Sequence, residues 1–217
     1  MIKPISIKTE NLGKKYGTNR LFKGLDLHFE EPGNYAITGF NGSGKSTLLL
    51  CLAGFITPTE GRVWWAMKDR KNRITDPTPH LAFCSPAMTL FEDLTLSEHL
   101  KSHSGFVRTF NYKEAQADLE HFELTRALHK PISSFSSGMK QRLKLILALN
   151  NDVPVLFLDE PCANLDENGI SIYQQRINGV AGQKLIIIST NQSVTEFPLP
   201  GMTIDLSTRP NTVLNPY

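Results

Sequence analysis

The spacing of hydrophobic and polar residues changes period twice along this chain. Near the start, "ISIKTENL" and "LDLHFEEPGNYAITG" alternate apolar and polar positions, with Pro32-Gly33 marking a turn. Alternation with period two predicts half-buried strands. "TGFNGSGKSTLLLCLAGF" then runs from a glycine-rich loop into an apolar helix, and "GRVWWA" and "LAFCS" read as short strands. Between them "MKDRKNRITDPTPH" is polar and holds two prolines, so it predicts a surface loop. In "GRVWWA" Trp64 and Trp65 point to opposite faces, one toward the core and the other partly exposed.

From about Thr89 to Asn150 the period becomes helical. Thr95 or Ser97 caps a helix with Glu98 in its first turn, and Ala115, Leu119 and Phe122 share a helical face in "NYKEAQADLEHFEL". After Asn150 the strand pattern returns in "PVLFLDEP", "KLIIIST" and "MTIDLS", with a helix from about Asn168 to Val180. Short, continuously apolar strands alternating with helices predict a mostly parallel sheet buried on both faces. The expected organisation is one α/β domain over 1–217, with a core at 1–88 and 151–217 and a helical insert at about 89–150.

Composition narrows the class. The chain has 217 residues, 40% apolar and 20% charged, enough for a sizeable core. A net charge of +2 with no long basic run gives no reason to expect nucleic acid as a partner. Cys51, Cys84 and Cys162 form no Cys-x-x-Cys pair, which predicts small buried thiols rather than a disulfide or metal site. The opening "MIKPISIKTEN" has no apolar signal core. No apolar stretch approaches the roughly 20 residues that span a bilayer.

Two motifs carry chemistry. "GFNGSGKST" (Gly39, Asn41, Gly42, Ser43, Gly44, Lys45, Ser46, Thr47) sits between a predicted strand and a predicted helix. Glycines at Gly42 and Gly44 let the backbone curl so that its N–H groups face phosphate oxygens. Lys45 is placed to reach β- and γ-phosphates, and the Ser46 hydroxyl to ligate Mg²⁺. In "VLFLDEP", four apolar residues deliver Asp159 and Glu160 to the end of a buried strand, where ligands of such sheets bind. Asp159 is the expected Mg²⁺ holder and Glu160 the expected general base toward water.

With these motifs, three further stretches resemble the ATP-binding subunits of ABC transporters. "FSSGMKQR" (Phe135 to Arg142) is similar to that family's signature motif, "ANLD" (Ala163 to Asp166) to its D-loop, and Tyr16 in "LGKKYG" to its adenine-stacking aromatic. The resemblance covers nearly the whole chain. It implies a P-loop NTPase sheet core, an N-terminal antiparallel β section and an inserted α-helical subdomain. It also implies ATP hydrolysis and a head-to-tail pair of cassettes, either a homodimer or a heterodimer. In such a pair Ser136, Gly138 and Asp166 belong to the shared nucleotide site. Membrane permease subunits are the implied partners, with the chain on the cytoplasmic face of the membrane. The form "SSGMKQR" is most similar to the exporter-type branch that includes the haem-exporter and ABC-2 groups.

Departures from the family pattern qualify this. The usual Q-loop glutamine is replaced by Ser85 or Pro86, depending on register, and the usual histidine after Ser189-Thr190 by Asn191. Asparagine donates a hydrogen bond but carries no charge. In the signature, Ser137 stands for glycine and Met139 for glutamine. Hydrolysis is therefore expected to survive through Lys45, Asp159 and Glu160, but slowly. A soluble non-transport ABC ATPase and a non-hydrolysing regulatory subunit stay open as alternatives.

Two local oddities remain. Lys140, Arg142 and Lys144 crowd the start of the signature helix, where the dipole disfavours cations. A nucleotide held by another subunit would offset that charge. His99 and His103 lie one turn apart, and a solvated helix face is the expectation for them.

Overall fold

The computed structural model describes residues 4–67, 73–191, 193–207 and 212–214. Of the predicted polar loop, residues 68–72 lie outside the described residues.

The chain opens with strands β1 (Ile5–Tyr16), β2 (Asn19–Leu25) and β3 (His28–Glu30), then β4 (Gly33–Thr38) and helix α1 (Lys45–Leu52). Strands β5 (Glu60–Met67), β6 (Arg73–Ile74) and β7 (Leu81–Cys84) follow. Then come α2 (Leu96–Phe106), α3 (Tyr112–His121) and α4 (Ser137–Leu149). The remainder alternates: β8 (Val155–Asp159), α5 (Glu167–Val180), β9 (Leu185–Ser189), α6 (Ser193–Glu196), β10 (Met202–Asp205) and β11 (Thr212–Leu214). β1 outruns its expected end at Leu12. A register shift between Glu10 and Gly13 carries it past its irregular stretch, and it continues to Tyr16.

These strands make two sheets. β2, β1, β5 and β6, with β3 also on β1, form an antiparallel sheet. The second runs β11-β10-β4-β9-β8-β7 and is parallel except for its β10–β11 edge.

Alternation within the parallel strands sorts the core into two layers. Leu156, Leu158, Ile186 and Ile188 face the helices α2 to α5. Val155, Phe157, Leu185 and Ile187 face α1 and the antiparallel sheet. Both faces are dry, which is why these strands read as continuous apolar runs. α4 shares its core with β7, β8 and β9 as well as with α2 and α3, so the helical run packs continuously onto the sheet.

Local signals explain the helix starts. Thr95 caps α2 through a reciprocal capping box with Glu98. Asn111 caps α3 and Asp166 caps α5. Ala115, Leu119 and Phe122 are buried as their spacing predicts, and so are all three cysteines. Burial pushes the Cys84 and Cys162 thiols up to about 12, so neither is a reactive thiolate at neutral pH. Trp65 is core and donates to the Leu52 carbonyl, while Trp64 is half-buried between the guanidiniums of Arg62 and Arg73.

The histidine expectation is corrected. His99 is buried against Phe91, and His103 packs edge-on to Phe110. They occupy the inner face of α2, because the loop carrying Phe91 and the Phe110 segment close over it. Burial pushes His103 down to about 4, and lowers His99, so both are neutral at physiological pH.

One buried tie fastens α5 to the last helical turn. Tyr173, fully buried, donates its hydroxyl to the Glu196 carbonyl at 2.7 Å. Tyr173→Phe leaves that carbonyl unpaired and is expected to cost about 1–3 kcal/mol. Urea unfolding monitored by circular dichroism checks this; an unchanged midpoint and slope would mean the tie contributes nothing.

Candidate functional site

Four parallel strands end side by side, and each contributes to one edge of the sheet. β4 leads into the phosphate loop, β7 into Ser85, β8 into Asp159-Glu160 and β9 into Thr190-Asn191. This is the carboxyl edge, where parallel sheets place ligands.

The loop is built by left-handed backbone at Gly42 (φ 86°) and Gly44 (φ 100°). Gly44 is also the N-cap of α1 and has no side chain to satisfy the first-turn amides. No acidic residue sits in that first turn either. The helix therefore presents open N–H groups and its positive end to the loop. The Ser43 hydroxyl is buried and has no partner among the described residues. Lys45 is folded back, donating from Nζ to the Gly39 carbonyl at 3.0 Å and the Phe40 carbonyl at 3.3 Å. Asn41, Gly42, Gly44, Lys45, Ser46, Thr47 and Glu160 line a cleft of about 350 Å³.

Asp159 is the electrostatic centre. Its Oδ1 accepts from the Ser46 hydroxyl at 2.9 Å and from Ser189, and its Oδ2 from the Ser85 hydroxyl at 3.3 Å. Of Ser85 and Pro86, it is the Ser85 side chain that reaches Asp159. That hydroxyl also accepts from the Ala87 amide at 3.2 Å. A carboxylate and a hydroxyl 2.9 Å apart, Asp159 and Ser46, form a hard-oxygen pair of the kind Mg²⁺ selects.

Glu160 sits in left-handed backbone (φ 43°), an uncommon state for a residue with a side chain. The Glu160 amide holds it there by donating to the Ser189 carbonyl at 2.9 Å. Its Oε1 accepts from Asn191 Nδ2 at 3.0 Å, and the same nitrogen donates to Asn41 Oδ1 at 2.5 Å. Asn191 thus ties the phosphate loop to Glu160.

Tyr16 ends β1 and is 55% exposed, with the Lys14 ammonium over its ring at 5.0 Å. Its hairpin partner strand β2 packs on the phosphate loop, where a side chain at Gly44 would meet Leu21 at 3.0 Å.

Ser136 and Gly138 stand apart from this edge, at the start of α4. Ser136 is the exposed N-cap, accepting from the Met139 amide at 3.2 Å. Gly138 lies against the Asn164 carbonyl, which an added Cβ would approach to 2.7 Å. The basic residues that follow are answered within the chain, which corrects the expectation that another subunit's nucleotide offsets them. Lys140 pairs with Glu92 at 2.6 Å. Arg142 pairs with Asp166 at 2.7 Å and Glu123 at 3.0 Å, and also donates to the Phe122 carbonyl at 3.0 Å. Lys144 donates to the Pro86 carbonyl at 2.5 Å.

Asp166, expected at the shared nucleotide site, is therefore engaged in its own chain. It accepts from the Gly169 amide at 2.8 Å and from Arg142, and these bonds hold its carboxyl below the usual range. Pattern reasoning missed other members. Buried Gln141 donates to the Pro161 carbonyl at 2.9 Å, linking α4 to the turn after Glu160. Buried Glu196 accepts from the Cys162 amide at 3.1 Å and from the Thr190 hydroxyl, and burial raises its carboxyl. Ser189 and Thr190, inside "STNQ", had a local signal.

Beside the phosphate cleft lies a second cavity of about 490 Å³, with an apolar wall of Leu50, Phe55, Phe83, Pro86 and Met88 and a floor that includes Ser46 and Asp159. Among the described residues, no helix is long and apolar enough to cross a membrane.

Comparison with known proteins adds an independent line. The protein family described as "ABC transporter" matches residues 22–163. The ABC transporter ATP-binding protein YxlF of Bacillus subtilis, described as uncharacterized, is 35% identical over 164 residues, 75% of this chain and 55% of that protein. The bacitracin transport ATP-binding protein BcrA of Bacillus licheniformis is 29% identical over 182 residues, 84% of this chain and 60% of that one. The ABC transporter ced-7 of Caenorhabditis elegans is 30% identical over 191 residues, 85% of this chain but 11% of its own length. The chain thus spans little more than half the length of these bacterial relatives. In fold it is similar to the dimeric structure of MJ0796, a bacterial ABC transporter cassette. The TM-score is 0.79 at 24% identity, covering 93% of this chain and 94% of that one.

Proposed function

The chain belongs to the ABC transporter family as an ATP-binding domain, and on that premise we propose that it binds and hydrolyses MgATP to drive separate membrane subunits. The observation that carries this is the convergence of three groups at one sheet edge. They are the open amides of the phosphate loop, the Ser46–Asp159 pair and Glu160.

In this reading Lys45 leaves the Gly39 and Phe40 carbonyls for the β- and γ-phosphate oxygens, which are stronger acceptors because they are charged. Ser46 and Asp159 hold Mg²⁺. When bound, the ion neutralises charge on the terminal phosphates. Glu160 accepts the proton of a water attacking the γ-phosphorus, and Asn191 donates toward the γ-phosphate. Tyr16, exposed at the end of β1, stacks on adenine. Ser136 and Gly138 meet the γ-phosphate of a second cassette, the same chain or a different one. Asp166 acts there indirectly, by holding Arg142 and the segment behind Gly138.

A permease subunit is the proposed occupant of the apolar wall at Phe55, Phe83 and Met88, which would place the chain at the cytoplasmic face of a membrane. Slow turnover is the second reading. It is favoured by Ser85, whose hydroxyl is already committed to Asp159 and the Ala87 amide.

The test is phosphate release by the purified chain with MgATP and no acceptor. Steady release that stops when EDTA removes Mg²⁺ is expected. ATP binding without release would favour a regulatory subunit. No ATP binding at all would overturn the family-based reading.

A further inference from the structure

Asn191 has one amide nitrogen and therefore two hydrogens to donate. Both are in use: one goes to Asn41 Oδ1 at 2.5 Å and the other to Glu160 Oε1 at 3.0 Å. A γ-phosphate that takes a hydrogen bond from Asn191 must displace one of these acceptors. The Asn41 contact is the shorter, but the two acceptors differ in charge. Glu160 offers a carboxylate oxygen, whereas Asn41 offers a neutral amide oxygen, and a charged acceptor holds a donor roughly twice as strongly.

We propose that Asn41 is an internal stand-in for the γ-phosphate, and that exchange of this one acceptor lets the chain distinguish a nucleoside triphosphate from a diphosphate. With a triphosphate, Asn191 turns from Asn41 to a γ-phosphate oxygen and keeps its bond to Glu160. The base and the phosphate under attack are then joined through one amide. With a diphosphate there is nothing to displace Asn41, and the Asn41–Asn191 bond stays closed. Asn41 sits immediately before Gly42, so the exchange takes place at the mouth of the phosphate cleft. Both asparagines are exposed there, so water can replace a lost partner and neither is a buried structural tie. The histidine familiar in this family would carry at most one hydrogen on any one ring nitrogen, so two bonds from a single nitrogen are a property of the asparagine.

The inference rests on the nucleotide-binding reading above and makes a separable prediction. Affinities for a non-hydrolysable ATP analogue and for ADP, both with Mg²⁺, are measured by titration on four proteins. These are the unaltered chain, Asn41→Ala, Asn191→Ala and the double variant. Asn41→Ala removes the competing acceptor and is expected to raise the ratio of analogue to ADP affinity roughly two- to tenfold. Asn191→Ala is expected to lower that ratio by a similar factor. In the double variant the gain from Asn41→Ala should vanish, since no donor is left to release. Equal weakening of analogue and ADP by Asn41→Ala would overturn the proposal, as would weakening of the analogue alone or a gain that persists without Asn191. If the unaltered chain bound neither nucleotide, the underlying functional reading would fail instead.

Discussion

Glu160→Gln is expected to lower the ATP turnover number by about 10²- to 10⁴-fold while leaving ATP affinity within a factor of a few. The substitution replaces one carboxylate oxygen by an amide nitrogen and keeps the shape. Asn191 can still donate to the remaining Oε1, and the backbone bond from residue 160 to the Ser189 carbonyl is untouched. What is lost is the ability to take a proton from water. The phosphate loop, Lys45 and the Ser46–Asp159 pair are unaffected, so nucleotide should load as before. The left-handed backbone at Glu160 makes the control sharper. A change at this position that disturbed the backbone would also shift Asp159 and with it Mg²⁺ affinity. Single-turnover phosphate release, together with Mg²⁺ dependence of ATP binding, separates the two. Unchanged release would remove Glu160 from the base role. Lost binding would mean that the residue holds the site together rather than acting in it.

The parts of this site that were legible in the sequence are those whose signal is local. The phosphate loop needs left-handed glycines, a lysine and a hydroxyl within nine consecutive positions, Gly39 to Thr47, and the strand before it and helix after it are read from the same stretch. Asp159 and Glu160 were legible because Val155 to Leu158 are continuously apolar, and that run ends at the carboxyl edge of a sheet dry on both faces. Partners that meet through the fold were not legible. Nothing near Gln141 announces the Pro161 carbonyl, and nothing near Glu196 announces the Cys162 amide. The histidines of α2 failed for a related reason. Helical spacing puts His99 and His103 on one face, but which face is inside depends on Phe91 and Phe110, which lie outside that helix. The departures from the family pattern were visible as residue types, yet their geometry was not. Only the structure places Ser85 on Asp159, and shows Asn191 with both its hydrogens committed.

The crowded charge at the start of α4 leads to the second large effect. With Lys140, Arg142 and Lys144 turned to Glu92, Asp166, Glu123 and the Pro86 carbonyl, their charge is satisfied without a ligand. What remains unanswered is the helix end itself. No acidic residue lies in its first turn, and Ser136 is exposed, capping only the Met139 amide. Gly138 is pinned against Asn164, so α4 presents this end from a rigid base tied to the turn after Glu160. Ser136→Arg is therefore expected to abolish ATP-driven pairing of cassettes when tested in the Glu160→Gln background, where hydrolysis does not dissolve the pair. The longer side chain would hold a partner's phosphate several ångströms away from amides that act only near 3 Å. Folding should survive, since losing an exposed cap costs about 1 kcal/mol. ATP binding by the monomer should also survive, because Ser136 does not line the phosphate cleft. Light scattering with and without MgATP reads the pairing, and nucleotide titration reads the binding. A variant that still pairs would remove Ser136 from the interface. One that loses monomer binding would mean that α4 supports its own chain's site, through Gln141 and Pro161, rather than its partner's.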